Sequence, residues 1–252
     1  MKSIRLISRL DIKGENLIKG VQMEGLRVLG DPAPFAQKYY SEGIDELIFI
    51  DSVASLYGRN NLANIIERTA SEIFVPLTVG GGIRSVEDAK RVLRCGADKV
   101  AINSAAIRCP ILISQLADEF GSQAVVISIE AKRERNGDWL AYSECGRERS
   151  SLNVLDWAIE ATRFGAGEIL LTSVDQDGTL KGFDIELIKQ VSNSVGVPVI
   201  ASGGMGKLAD IVELIQVTEV AAVAVASLLH YNLTSISEVK NFISTNGFMV
   251  RN

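Results

Sequence analysis

Short runs of consecutive apolar residues recur along the chain and alternate with longer stretches whose apolar residues repeat at helical spacing. A run that is apolar throughout is typical of a strand buried on both faces, and a period of 3.6 residues is typical of an amphipathic helix. The runs predict eight strands, at residues 4–10, 46–51, 74–79, 99–102, 124–129, 168–172, 197–201 and 220–225. The helical spacing predicts helices at residues 34–41, 61–73, 85–95, 110–120, 153–164, 184–195 and 207–216.

Two segments of the chain return after the same offset. The segment at 43–48 recurs at 165–170, and the segment at 75–83 recurs at 197–205, in both cases 122 residues later. A long repeat that occurs twice favours two halves of one closed structure over a solenoid of many short units. We therefore predict a (β/α)8 TIM barrel, one domain over residues 1–252, with half-barrels at about 1–122 and 123–252. An open doubly wound sheet explains the alternation but not the equal halves, and no GxGxxG follows the first strand.

Composition and charge narrow the classes of partner and cofactor. The net charge of −5 argues against nucleic acid or an anionic membrane as the main partner. Cys95, Cys109 and Cys145 show no CxxC spacing, so we expect neither a disulfide framework nor a zinc site. The first residues lack an apolar signal-peptide core, and no run reaches the roughly 18 apolar residues of a membrane span. The expectation is a cytoplasmic protein with no metal and no cofactor.

The first and fifth predicted strands each end in an acid that is followed two residues later by lysine. These acids are Asp11 and Glu130. In a barrel the carboxyl ends of the strands carry the chemistry, so the two acids should face each other across the mouth. Such a pair suits general acid–base catalysis, in which one group removes a proton and the other donates one. The alternative is that either acid only orders its loop through structural hydrogen bonds.

Glycines and small polar residues follow four other predicted strands. Gly80-Gly81-Gly82 ends the third strand and Ser202-Gly203-Gly204 ends the seventh, while Asn103-Ser104 and Ala226-Ser227 end the fourth and eighth. Exposed backbone N–H groups, small hydroxyls and a helix N-terminus can bind an anion without lysine. A single Gly-Gly after a strand is more often a tight turn, but its recurrence at the repeat offset predicts two phosphate sites. We therefore expect a long substrate with a phosphate at each end.

Several motifs together resemble the cyclase subunit of imidazole glycerol phosphate synthase, and the resemblance covers nearly the whole chain. They are the segments at 10–13, 17–20, 30–32, 78–83, 96–100, 120–123, 165–177 and 201–204. The resemblance implies a half-barrel duplication and a lyase of histidine biosynthesis, within a glutamine amidotransferase complex. Members take ammonia from a separate glutaminase subunit and convert a bis-phosphorylated formimino aminoimidazole carboxamide nucleotide to imidazole glycerol phosphate and aminoimidazole carboxamide ribotide.

The resemblance also implies roles for individual residues. Asp11 matches the catalytic aspartate of the family, and Glu130 stands at its second catalytic position. The positions that hold the substrate and its phosphates are Lys19, Gly81, Gly82, Asn103, Ser104, Thr172, Asp177, Gly178, Gly203, Gly204, Ala226 and Ser227. At the other end of the barrel, the resemblance implies a ring of charges that gates ammonia, formed by Arg5, Glu46, Lys99 and Glu168. On the same N-terminal face, the residues implied to dock the glutaminase are Asp98 and Gln123. The presence of this ring argues against the related isomerase, which uses no ammonia.

Three departures from the family pattern leave a second function open. Glu130 replaces an aspartate, and Ser8-Arg9 stands where the family usually has proline and cysteine. Arg9 shares strand parity with Asp11, so it should point into the barrel, where we expect it to pair with Glu130 and keep that acid ionised. The third departure is Thr218-Glu219-Val220, which replaces a repeated Gly-Ala-Asp. The alternative function is a cyclase-like paralogue that channels ammonia to an enzyme amidating a surface-polysaccharide sugar.

Two further features have less specific interpretations. His230, the only histidine, is expected to be a surface or helix-packing residue. The charged segment after the fifth strand predicts a hairpin that turns at Asn136-Gly137. Because long loops on this face of a barrel often act as lids, we expect the segment to close over substrate.

Overall fold

A closed ring of parallel strands, surrounded by helices, forms the centre of the molecule. The structure, a computed structural model, describes residues 3–53 and 62–251. In chain order the elements are β1 (Ser3–Lys13), β2 (Asn16–Val21), β3 (Glu24–Gly30), α1 (Pro32–Ser41), β4 (Glu46–Asp51), α2 (Ala63–Glu72), β5 (Leu77–Gly80), α3 (Val86–Arg94), β6 (Lys99–Ile102), α4 (Ser104–Arg108), α5 (Ile111–Phe120), a 3₁₀ turn (Ser122–Ala124), β7 (Val125–Arg133), β8 (Trp139–Ser143), β9 (Glu148–Asn153), α6 (Val154–Arg163), β10 (Glu168–Ser173), α7 (Ile185–Ser194), β11 (Val199–Ser202), α8 (Leu208–Val217), β12 (Ala222–Val225), α9 (Ser227–His230), α10 (Ile236–Thr245) and β13 (Met249–Val250).

The pairing of the strands confirms the (β/α)8 barrel. Parallel neighbours run in the order β10, β11, β12, β1, β4, β5, β6 and β7, and the ring closes where β7 pairs with β10. At the closure Thr172 lies opposite Glu130. Each predicted strand overlaps one of these eight, because a strand covered on both faces needs an uninterrupted apolar run. The division into half-barrels near residue 122 stays a prediction.

The apolar core consists of an outer and an inner part. The outer part fills the space between the strands and the helices and includes Leu47, Phe49 and Trp157. The inner part lies inside the barrel and consists of Ile7, Ile48, Ile50, Ala101, Val126, Leu170, Ile200, Ala222 and Ala224. Successive residues of a strand point alternately to the two parts, which is why the strands are buried on both faces.

Polar residues that precede helices satisfy their first backbone N–H groups. The Asp31 carboxylate accepts a hydrogen bond from Ala33 N at 3.0 Å, and Pro32 occupies the first helical position, where its missing N–H costs nothing. The Ser85 hydroxyl accepts from Asp88 N at 3.1 Å and begins α3. The seven predicted helices each begin within two residues of their predicted positions, whereas α4, α9 and α10 were not predicted. Residue 61, the predicted start of α2, lies outside the described residues.

Two antiparallel hairpins extend the barrel at its mouth. β2 and β3 follow β1, and β8 and β9 follow β7. The chain reverses between β7 and β8 at Asn136-Gly137, where Gly137 has a φ of +95° and its N–H donates to Glu134 O at 3.0 Å, confirming the predicted turn. Pairing with these hairpins lengthens β1 and β7 beyond their predicted ends at 10 and 129. No helix within the described parts of the chain is long and apolar enough to span a membrane.

The third strand begins later than predicted. β5 starts at Leu77 rather than at residue 74, and Phe74 is 79% exposed. The apolar run at 74–79 therefore begins with residues that lie at the amino-terminal rim of the barrel, before the strand starts. Periodicity alone could not separate the exposed phenylalanine from the buried strand, since both contribute to one apolar run.

Candidate active site

Asp11 is a buried carboxylate at the carboxyl end of β1. Its Oδ1 accepts a hydrogen bond from Arg9 Nε at 2.9 Å, and its Oδ2 lies 3.9 Å from Lys19 Nζ. Burial alone would raise the pKa of this carboxyl, but the charges of Arg9 and Lys19 outweigh burial and lower it below its ordinary value. Asp11 is therefore an ionised carboxylate in a site that excludes most water.

Arg9 crosses the interior of the barrel directly below Asp11. Its Nη1 donates to Thr172 Oγ1 at 2.9 Å and lies 3.4 Å from Ser202 Oγ, so the side chain reaches from β1 to β10 and β11. The expected inward direction is confirmed, whereas the expected partner is wrong. Arg9 pairs with Asp11 rather than Glu130, because residues two apart on one strand share a face and lie next to each other.

Glu130 has very different surroundings. It is 5% exposed, and its Oε2 accepts a hydrogen bond from Gly146 N at 2.8 Å. Burial raises the pKa of its carboxyl to about 7, with smaller effects from Arg9, which lowers it, and from Asp11 and Glu144, which raise it. The expectation that this acid is held ionised is therefore wrong. Glu130 can gain and lose a proton near neutral pH, as acid–base catalysis requires.

The first predicted phosphate site forms a pocket beside Glu130. Gly81, Gly82, Asn103 and Ser104 all line it. Gly81 has a φ of +96°, and a Cβ placed on it would lie 2.4 Å from Asp51 O, so only glycine fits there. The structure thus brings these four predicted residues together.

The turn between β8 and β9 reaches into this pocket from the other half of the barrel. Asn103 Nδ2 donates to Tyr142 O at 3.1 Å, and Ser104 Oγ accepts from Glu144 N at the same distance. Arg108 Nη2 lies 2.6 Å from Glu144 Oε1 and lines the pocket. The sequence argument missed Arg108 because its position, one turn after Ser104 on a short helix, is visible only once α4 is placed at the rim.

The second predicted phosphate site lies across the mouth. Lys19, Gly178 and Ser227 line one pocket, and Lys19 Nζ pairs with both oxygens of Asp177 at 3.0 and 2.8 Å. Gly178 packs so closely on the β2–β3 hairpin that an added Cβ would lie 2.3 Å from Gly20 O. The hairpin after β1 therefore contacts the loop after β10, as the hairpin after β7 contacts the loop after β6.

The remaining predicted phosphate residues lie next to this pocket. Gly203 and Gly204, in the turn after β11, have φ values of +97° and +109°. Gly204 O accepts a hydrogen bond from Gly182 N at 2.8 Å, which ties this turn to the loop after β10. Ala226 immediately precedes α9 and accepts at its carbonyl from His230 N at 2.9 Å. These backbone contacts hold the two glycines in place beside Asp177.

His230 is buried beneath Arg9 and packs against Tyr39 of α1, so the helix-packing alternative of the prediction is confirmed and the surface alternative is wrong. Its Nε2 lies 3.1 Å from Arg9 O and its Nδ1 lies 2.7 Å from the Tyr39 hydroxyl. Because a carbonyl only accepts, Nε2 carries the proton and Nδ1 accepts from Tyr39. Burial lowers the pKa of the imidazole to about 4, so it is neutral at physiological pH. The pair of side chains supports the backbone at Arg9.

Four charged side chains close the opposite end of the barrel. Arg5 contacts Glu46 at 2.7 Å and Glu168 at 2.6 Å, and Lys99 contacts the same two acids at 3.3 and 2.8 Å. Each cation thus bridges both carboxylates, and the predicted ring is formed. Its members come from β1, β4, β6 and β10, which are spaced around the barrel.

The predicted docking residues lie on the same rim. Asp98 and Gln123 are exposed, immediately before β6 and β7. Asp98 Oδ2 accepts from Leu77 N at 2.8 Å, and Gln123 Nε2 donates to Phe120 O at 3.2 Å. The inner apolar core and, above it, the side chain of Arg9 separate this rim from the acids at the mouth, so the barrel has two chemically different ends.

Fold and site define a (β/α)8-barrel enzyme that holds paired acids and two glycine-rich pockets at one mouth and a ring of charges at the other. The family model described as Histidine biosynthesis protein matches residues 5–235. The chain is 48% identical to a protein named Imidazole glycerol phosphate synthase subunit HisF from Geobacillus kaustophilus, over 98% of both chains. It is also 48% identical to a protein of the same name from Halalkalibacterium halodurans, over the full length of both. One from Legionella pneumophila is 64% identical over 82% of this chain and 98% of that relative. The chain belongs to this family.

The comparisons also bear on the alternative function. The relatives reported above all carry the name of the synthase subunit, and none is named as a sugar-pathway paralogue. They therefore give no support to the alternative that the sequence left open.

Proposed function

We propose that this chain is the cyclase subunit of a glutamine amidotransferase complex of histidine biosynthesis. It uses ammonia from a glutaminase partner to convert a bis-phosphorylated formimino aminoimidazole carboxamide nucleotide to imidazole glycerol phosphate and aminoimidazole carboxamide ribotide. The observation that carries the proposal is the placement of Asp11 and Glu130 at one mouth between two glycine-rich pockets, in a chain of this family.

The two acids supply the proton transfers that this reaction needs. Adding ammonia to a carbon centre, closing a ring and releasing a second product each require a proton to move. Asp11 is ionised and Glu130 titrates near neutral pH, so one site offers both a proton acceptor and a proton donor. Burial strengthens their interaction with charge that develops on the substrate.

The pockets on either side of the acids suit the two phosphates of the substrate. Gly81, Gly82 and Ser104 lie toward one end of the mouth, and Lys19, Gly178 and Ser227 toward the other. Backbone N–H groups near glycines and helix N-termini bind phosphate without a dedicated lysine, and Lys19 adds a cation at the second pocket. A substrate held at both ends would lie across Asp11 and Glu130.

We infer that ammonia arrives from the amino-terminal end of the barrel. The ring of Arg5, Glu46, Lys99 and Glu168 lies there, beneath an apolar interior through which a small neutral molecule could pass. Exposed Asp98 and Gln123 beside the ring would contact the glutaminase. A biosynthetic complex of this kind would act in the cytoplasm.

The proposal is tested by cyclase turnover with the bis-phosphorylated nucleotide and an ammonium salt at high pH, which makes the glutaminase unnecessary. We expect turnover by the wild type and a loss on the order of 1000-fold in Asp11→Asn, which keeps the shape but removes the charge. Asp118→Asn changes an exposed aspartate on α5 and should leave turnover unchanged. A folded wild type that gives no product would contradict the proposal.

A further inference from the structure

The two acids at the mouth differ in the charges that touch them. Asp11 contacts the guanidinium of Arg9 and lies 3.9 Å from the ammonium of Lys19. Within the described residues, Glu130 forms no ion pair, and its hydrogen bond comes from the neutral backbone of Gly146. Asp11 is therefore in direct contact with a cation, whereas Glu130 bonds to a neutral group and is affected by Arg9 only from a distance, although both acids occupy corresponding strand ends.

Arg9 is held so that, within the described residues, Asp11 is the acid with which its guanidinium forms a direct ion pair. Nε bonds to Asp11 while Nη1 bonds to Thr172 on β10, which is three strands away around the ring. Beneath it, His230 Nε2 donates to the Arg9 carbonyl, and Tyr39 holds the other imidazole nitrogen. Turning the guanidinium toward Glu130 would break these bonds in a site where replacement partners are buried.

We propose that Arg9 is a positioning residue that reserves the unprotonated carboxylate for Asp11 and leaves Glu130 as the member of the pair that carries the proton. The inference rests on the proposed function and deepens it, because it assigns the direction of proton transfer.

The proton balance is complete within the pair for the step that releases the ribotide. The nitrogen that comes from ammonia forms a bond to the formimino carbon, and Asp11 takes a proton from that nitrogen. The bond between the formimino carbon and the amine nitrogen of the ribotide breaks, and Glu130 gives its proton to that leaving nitrogen. The site returns to its starting state when Asp11 releases one proton and Glu130 gains one. No oxidant, reductant or further reactant is needed.

Other groups near Asp11 do not explain the difference by themselves. The charged and titratable groups that face it are Arg9 on its own strand, Lys19 on β2, Glu130 on β7, Cys145 and Arg147 in the turn after β8, Asp177 after β10, and His230 on α9. Asp177 pairs directly with Lys19 and offsets its charge, and His230 is neutral. Arg9 is thus the cation whose hydrogen bond reaches the Asp11 carboxylate.

The first test measures the protonation of each acid directly and does not need activity. Carboxyl-¹³C NMR titrations would be recorded on the full chain as wild type, Arg9→Met and Arg9→Lys, with the two resonances assigned by Asp11→Asn and Glu130→Gln. We expect the midpoint of Asp11 to rise by about 1–3 pH units in Arg9→Met, because an adjacent opposite charge shifts a carboxyl by that amount. Arg9→Lys keeps the charge and should stay within about half a unit of wild type, as should Arg163→Met, a change at an exposed arginine on α6.

The second test uses the pH dependence of turnover, with free ammonia held constant at each pH. If Asp11 must be ionised and Glu130 protonated, the rate has an acidic limb from Asp11 and an alkaline limb from Glu130. Arg9→Met should move the acidic limb upward by the shift seen in the NMR titration, and Arg9→Lys should restore it. A merely structural role would lower the rate without moving the limb.

Each outcome decides between the two proposals. An Asp11 midpoint that is the same in Arg9→Met and wild type overturns the role of Arg9, whether or not the protein is active. A wild type with no cyclase turnover overturns the proposed function, while the titrations still report on the acids. If Arg9→Met does not fold, Arg9→Gln, which also lacks the positive charge, provides the comparison. An Asp11 resonance that titrates above Glu130 in the wild type would reverse the assignment.

Discussion

Glu130 illustrates how a single buried acid can lower stability for the sake of chemistry. With a pKa near 7 in the folded protein and 4.5 as its ordinary value, it binds more proton in the folded state between these two pH values. Stability therefore falls as the pH rises through this window, since the folded protein must keep an ionised carboxylate in a buried place. The effect is the reverse of the usual one for an acid held by a cation, such as Asp11.

We predict that Glu130→Gln becomes more stable relative to wild type as the pH rises. The stability difference between the variant and wild type should increase by about 3 kcal/mol from pH 4.5 to pH 8, because the variant has no carboxyl to ionise. The lowered pKa of His230 stabilises the folded state as the pH rises from about 4 to 6.5, but this effect is the same in both proteins and leaves the difference unchanged. Urea denaturation at several pH values measures the difference; a constant difference would show that folding does not raise the pKa of Glu130.

The support beneath Arg9 gives a second prediction. Tyr39→Phe removes the hydroxyl that donates to His230 Nδ1 and leaves a buried acceptor without a partner. We expect the free energy of unfolding to fall by about 1–2 kcal/mol. The neighbouring Tyr40→Phe, at a half-buried ring that packs on Phe74, should change it by less than about 0.5 kcal/mol. Equal losses in urea denaturation of the two variants would argue against the hydrogen bond.

The sequence predicted directions of side chains better than their partners. Strand parity placed Arg9 inside the barrel, and the ends of the first and fifth predicted strands placed Asp11 and Glu130 at the mouth. The partner of Arg9 depends on the side chain's length and on the hydroxyls of Thr172 and Ser202, which no local pattern reports. The choice between a surface and a packing position for His230 stayed open for the same reason, since its contacts come from α1 and β1, far away in sequence.

Loops at the mouth depend on glycines whose neighbours are backbone atoms. Gly204 combines a φ of +109° with an added-Cβ distance of 2.0 Å to Gly182 O. A side chain at this position is disfavoured for two reasons: L-residues rarely adopt this conformation, and the neighbouring backbone carbonyl cannot rotate away. The turn after β11 therefore keeps its shape only with glycine.

We predict that Gly204→Ala lowers the free energy of unfolding by about 2 kcal/mol or more, since either the backbone or the loop after β10 must shift. Gly196→Ala is the matched control, because nothing lies within 4 Å of its added Cβ and its φ is not positive. The control should be neutral within about 0.5 kcal/mol. Thermal and urea unfolding of both variants would measure this, and a tolerated Gly204→Ala would contradict the packing described.

Helices and barrel strands follow from the sequence because each depends on a local pattern. Continuous apolar runs fixed β4 and β10 to within one residue, and capping residues such as Ser85 fixed the helix starts. The hairpin strands β2, β3 and β9 were not predicted, and for β8 only the preceding turn was; these strands mix polar and apolar residues without a long apolar run. The short helices α4 and α9, the helix α10 and the strand β13 were not predicted either. The pairing of the hairpin strands is decided by contacts across the mouth, such as Asn103 with Tyr142.

The hairpin after β7 carries the expectation of a lid. It contacts a loop of the other predicted half through Glu144 and Ser104, as the hairpin after β1 does through Lys19 and Asp177. We predict that trypsin cleavage in the exposed segments around Arg135 and Arg149 slows several-fold with the bis-phosphorylated nucleotide, because a closed hairpin protects them. Cleavage at the same rate with and without the nucleotide, at concentrations that support turnover, would exclude a lid.

The barrel as a whole separates the chemistry of its two ends. The ring at the amino-terminal end balances two cations against two carboxylates, the interior is apolar, and the mouth holds the acids. An ionised species would lose hydration in the apolar interior, whereas neutral ammonia would lose little. This arrangement gives the ring a function that can be measured apart from the chemistry at the mouth.

We predict that Lys99→Met uncouples the two ends. With the cation gone, Glu46 and Glu168 share Arg5 and their excess charge binds ammonium instead of releasing ammonia inward. In the complex with the glutaminase, the fraction of hydrolysed glutamine that appears as cyclase product should fall several-fold. Turnover with added ammonium salt, which can reach the acids from the open mouth, should stay within about twofold of wild type. Lys189→Met, at an exposed lysine on α7, should change neither rate. If Lys99→Met lowered glutamine-dependent and ammonium-dependent turnover equally, the ring would act through stability alone. A general loss of barrel structure would lower turnover with either source of ammonia.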